Sequence, residues 1–200
     1  MAIVKLSNRG VKDISAVGSI GTGDLTFISK QTASSSASIS FTSGIDSTYK
    51  EYIFFFNNIH PATDAAAFQF QASTDSGSNY NTTMTSTAFR AKHAEADGNT
   101  ALEYRTGQDV AQGTGYMSFT DGTGTDNDQG VSGYFHVFNP SSTTFVKHFI
   151  ARFNCYSWND LTIDHHVAGY FNTTSAIDAF SYKMSSGNID SGDILLYGVN

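Results

Sequence analysis

Two hundred residues suit a single domain, because all-β sandwiches of about 200–250 residues fold as one unit. Charged residues are only 14% of the chain, against roughly 25% in an ordinary soluble domain, while 25 Ser, 22 Thr, 18 Gly, 16 Phe and 10 Tyr dominate it. Strand and turn formers in that excess exclude a mostly helical protein, a coiled coil or a transmembrane bundle, and the aromatics exclude disorder. A net charge of -7 argues against a broad nucleic-acid surface.

In chain order, the opening MAIVKLSNRGVKD has no apolar core of the secretory type, so no signal peptide is expected. Residues 1–12 carry Lys5, Arg9 and Lys12 and no acid, a basic arm on an acidic chain. No stretch approaches the ~18 apolar residues of a membrane span. A period of two then marks strands over 25–28, 39–42, 49–59, 68–72, 82–89, 102–104, 131–138, 143–156, 162–171, 176–184 and 194–199. The low-complexity run 31–40 reads as a polar edge strand, and the one helix candidate is 88–97. Turn chemistry at 75–79, 96–99, 121–130, 139–142 and 185–188 separates the strands. The expected fold is all-β: an antiparallel β-sandwich of jelly-roll type with additional strands, 31–200, preceded by an N-terminal arm and first strand, 1–30.

Several strands are apolar on both faces. In YIFFFN, Tyr52, Phe54 and Phe56 point one way, and Ile53, Phe55 and Asn57 the other. In YFHVF, Phe135 and Val137 oppose Tyr134 and Phe138. Phe145, Phe149, Phe153 and Cys155 alternate with Val146, Ile150 and Tyr156. A sandwich strand buries one face and solvates the other, so the second face needs a cover, either from this chain or from another subunit.

Equipment for chemistry is sparse. Glu51 and Glu103 are the only strand glutamates and neither has an acidic neighbour in sequence, so a glycosidase pair is not expected. Cys155 lies among alternating aromatics and reads as core. In Asp164-His165-His166, adjacent imidazoles point to opposite faces and do not share a metal, and His136 with His148 supplies at most two ligands. Asp121, Asp126 and Asp128 in a Gly-rich loop are weak calcium candidates that miss the EF-hand spacing. Trp158 is a weak glycan-stacking candidate. No cofactor and no catalytic residue is expected.

The segments YKEYIFFFNNIHPATD, FQFQASTDSGSNYNTT, SGYFHVFNPSSTTFVKHFIARFNCY and GYFNTTSAIDAFSYKMSSGNIDSGDILLYGVN resemble a family of virion structural proteins of marine tailed bacteriophages. The resemblance implies a non-enzymatic, oligomeric β-protein on the virion, made in the host cytoplasm. The expected role is capsid decoration (cement). Its partners would be itself, as a homotrimer, and the major capsid protein, with Lys5, Arg9 and Lys12 as lattice tether. The alternative is a tail-fibre or receptor-binding module that holds a host glycan. Neither nucleic acid nor membrane is an expected partner.

Overall fold

The computed structural model describes residues 25–200, so the basic arm with Lys5, Arg9 and Lys12 lies outside the described residues. Those described residues form twelve antiparallel strands and no helix. In chain order they are β1 Leu25–Ser36, β2 Ile39–Phe41, β3 Glu51–Pro61, β4 Ala66–Ser73, β5 Met84–Ala94 and β6 Ala101–Tyr104. Then come β7 Met117–Thr123, β8 Gly130–Phe138, β9 Lys147–Ser157, β10 Leu161–Phe171, β11 Ala179–Met184 and β12 Ile189–Val199.

Pairing runs β1-β12-β3-β8-β9, and β9 is a branch point. On one side β9 pairs along its whole length with β10, which continues to β5 and β6. On the other side β9 meets β7 only at Thr123 and Ser157, and from there the path runs β7-β4-β11-β2. The sheet thereby curls back on itself into a nearly closed, barrel-like form. Its ends approach where Gln31 Nε2 of β1 donates to the Ser40 carbonyl of β2 at 2.6 Å.

The aromatic residues drive this closure. Phe56 of β3 sits 5.4 Å from Phe68 of β4, 5.2 Å from Phe153 of β9 and 5.0 Å from Tyr182 of β11. Phe70 and Phe119 stack at 4.3 Å with an angle of 8° between their planes. Rings of this size bury large apolar areas and gain further from edge-to-face contact. Lys147, the first residue of β9, joins the inner row: it is fully buried, and its Nζ donates to the carbonyls of Thr173 and Ser175. Burial pushes its pKa down.

Three local readings are corrected. Residues 88–97 are not helical: β5 runs through Ala94 and a turn follows, with Asp97 and Asn99 at positive φ. Ladders to both β10 and β6 override the modest helical preference of this Ala-rich stretch. Strand β7 (MSFTDGT) was concealed by its Asp-Gly pair, although Met117 and Phe119 alternate inward. Phe145 does not join the inner row, because β9 begins at Lys147 and leaves it 69% exposed in the preceding turn.

Replacing Phe70 by Ala should cost about 3–5 kcal/mol, as for buried aromatics generally. Phe145→Ala should change stability by less than about 0.5 kcal/mol, as at exposed positions. Urea unfolding of the two variants checks the contrast.

Candidate functional site

Three features of the surface and its support stand out: an aromatic row, a charged brace beneath it, and a polar trough beside it. The row lies on the outer face of the eight strands β1-β12-β3-β8-β9-β10-β5-β6, one residue from each. Phe27 packs edge-on to Tyr197 at 5.5 Å, and Tyr197 to Phe55 at 5.6 Å. Phe55 lies opposite Tyr134, Tyr134 opposite Arg152, and Arg152 opposite His166. His166 stacks on Phe89 at 4.7 Å and 5°, and Phe89 lies opposite Tyr104. Eight strands at their usual spacing make this an arc of roughly 34 Å. Phe27, Tyr134, Phe89 and Tyr104 are exposed.

Arg152 is already matched, forming a two-pronged pair with Asp164 at 2.9 and 2.8 Å. That pairing draws the Asp164 pKa down, with His166 helping at 3.1 Å. The row therefore presents rings and a neutralised guanidinium. Isolated apolar residues on a surface are ordinary, but here they fall in one contiguous row.

The brace sits on the inner face where β10, β5 and β6 extend. Arg90 Nε and Nη2 donate to Glu103 at 3.2 and 3.0 Å, and Lys92 Nζ lies 2.8 Å from the same carboxylate. Arg105 Nη2 reaches Asp121 at 2.9 Å, and Arg90 also pairs with Asp121. The Asp121 amide donates to Nε2 of His165 at 3.2 Å. Hydrogen bonds from Lys92 and Arg90 hold the Glu103 carboxyl down at about 2. Burial, then the charges of Arg90 and Arg105, brings the His165 imidazole down to about 3. A general acid needs a raised carboxyl pKa, and Glu103 has the opposite. The cluster is a brace, and it was invisible in sequence because its members come from four strands and a loop.

The trough lies on the outer face beside the row, lined by Asn58, His60, Asp128, Ser132, Asn154, Tyr156 and Asp190 among others, with a volume near 470 Å³. A second hollow, lined by His93, Glu95 and Thr162, shares Asp128, Asn154 and Tyr156 with it.

The sequence candidates fall apart in space. Asp121 is committed to two arginines, while Asp126 and Asp128 belong to the following loop. Among the described residues no three His, Cys, Asp or Glu side chains converge to hold a metal, so these three carboxylates are not gathered about one point. His165 is buried and His166 lies outside, as strand alternation requires. His136 faces Ile150 across the ladder and bonds Glu51 at 2.9 Å, so it does not stand opposite His148. Cys155 is fully buried, its thiol pushed up to about 11 by burial. Trp158 is 53% exposed in the turn between β9 and β10 and lines neither hollow.

No family model, no curated protein and no solved structure matches this chain.

Acid should loosen the brace in two stages. Unfolded, His165 takes a proton below its ordinary 6.5, whereas folded it does so only near 3, so stability falls as pH drops through that window. Glu103, ordinarily 4.5 and about 2 when folded, adds its loss at lower pH. In urea midpoints measured across both windows, His165→Asn should flatten the upper part of the decline and Glu103→Gln the lower.

Proposed function

We propose that the chain is a non-enzymatic structural protein of a bacteriophage virion. In this reading it is a capsid decoration protein that assembles as a homotrimer and fastens to the major capsid protein. The observation that carries the proposal is the aromatic row. A surface of Phe, Tyr, His and a matched Arg has the composition of a protein interface centre, rich in rings and Arg and poor in Lys and Glu. A second copy of the chain is its natural cover: in a threefold ring the row of each copy meets a different face of the next, the heterologous contact that closes such a ring.

The strand order supports a jelly roll beneath it. The orders β1-β12-β3-β8 and β2-β11-β4-β7 match the two four-stranded sheets of that fold, with β5-β6 and β9-β10 as hairpins inserted to widen the first. Dense pairing and a ring-filled interior suit a particle component that must persist without turnover. In this reading Lys5, Arg9 and Lys12 tether the acidic body to an acidic lattice, where complementary charge sets register and on-rate.

Counting copies per virion by quantitative mass spectrometry tests the assignment: the count should be a large fraction of the major capsid protein's, and a count at the level of tail-tip proteins contradicts it. Removing residues 1–12 should abolish attachment to particles while leaving the oligomer intact.

A further inference from the structure

We infer that the polar trough is a binding site for a neutral saccharide, whose hydroxyls donate to Asp128 and Asp190 and exchange hydrogen bonds with Asn58 and Asn154, while the C–H face of a sugar ring packs on Tyr156. The inference does not rest on where in a virion the protein sits.

The backbone makes room for this site. Opposite Asn57 and Asn58 the register of β3 shifts against β8, and Asn58 takes a positive φ of 50°. Beside it the register of β12 shifts twice, between Ile189 and Ser191 and between Ser191 and Asp193, and Gly192 adopts φ 123°. The two irregular stretches touch: a Cβ at Gly192 would come within 2.6 Å of the Asn58 carbonyl. Bulges re-aim side chains and open a sheet locally, and here they do so side by side at the rim of the hollow.

The lining selects the class of ligand. Its residues include Asp128 and Asp190 but no Lys or Arg, and Glu95 lines the adjoining hollow, so an anion is repelled. Polar side chains prevail around it, so an apolar molecule gains little. Amides and hydroxyls both donate and accept while the carboxylates accept, so the set matches vicinal hydroxyls. The groups are also held in place. Tyr156 donates to Glu95 at 2.7 Å, Asn154 Nδ2 donates to Thr162 at 3.1 Å, and His60 is fixed between the Asp126 carbonyl at 3.2 Å and Asp190 at 3.8 Å. At Tyr156, Asn154 and His60 a ligand therefore meets side chains whose ordering cost is already met. Tyr156 supplies the flat apolar surface that a sugar ring needs, the part that sequence reading had assigned to Trp158.

Saturation-transfer NMR of the full chain checks this, with glucose, galactose, mannose and their neutral oligosaccharides as probes and sialyllactose as the anionic control. At least one neutral probe should bind, and sialyllactose should not. Asp128→Ala and Asp190→Ala should each weaken binding about tenfold or more, the usual effect of losing a charged hydrogen-bond acceptor. Circular dichroism should show both variants folded, since both side chains are at the surface. The assignment is overturned if no neutral probe binds, if sialyllactose binds as well as the neutral sugars, or if both folded variants keep full affinity.

Discussion

Strands that carry rings on both faces set the terms for everything else in this molecule. In β3, Tyr52, Phe54 and Phe56 point inward while Ile53 and Phe55 point outward. The inward set has one outcome: the sheet must curl until β4, β7 and β11 bring Phe68, Phe70, Phe119 and Tyr182 against it. The outward set has no such cover among the described residues, and it lines up with matching residues on seven further strands. One composition thus produces both a nearly closed interior and an aromatic exterior.

The charged brace follows from the same geometry. The path β7-β4-β11-β2 has four strands and the opposing path has eight, so its ring-bearing layer cannot cover the whole inner face. Beneath β5 and β6, where the rings give out, Arg90 and Lys92 turn inward and meet Glu103, while Arg90 and Arg105 hold Asp121 of β7. Loop 105–116 is fastened there as well, through the Arg105 amide to Ala88 and the paired bonds of Met84 with Gly113. Ion pairs at this place stabilise only while their carboxylates stay ionised, which makes the widened part of the sheet its acid-sensitive part.

Much of this was legible in the sequence because a strand's period of two is local. The alternation of β9 and β10, the burial of Cys155, the opposed faces of His165 and His166 and the two-faced character of β3 all follow from neighbouring residues. What escaped depends on partners distant in the chain. Arg90 and Asp121 are unremarkable apart, and only the fold brings them together. β7 was hidden by Asp121 and Gly122, which read as a turn when alone but sit inside a ladder when β4 is beside them. The helix expected at 88–97 failed for the converse reason, two flanking strands outweighing a local preference. The trough depends on two bulges whose coincidence no single segment announces, although Asn57-Asn58 and Ser191-Gly192 are residues that tolerate such backbone.

The central claim is that the outer aromatic row is covered by another copy of this chain. Light scattering coupled to size exclusion tests it most directly, comparing the wild type with the double variant Phe89→Asp, Tyr134→Asp, whose changes lie on the exposed face and leave the interior untouched. The account predicts a wild-type mass of three times 21.5 kDa and a folded variant at 21.5 kDa. A wild type that stays at 21.5 kDa at micromolar concentration, or a variant that keeps the wild-type mass, would contradict it.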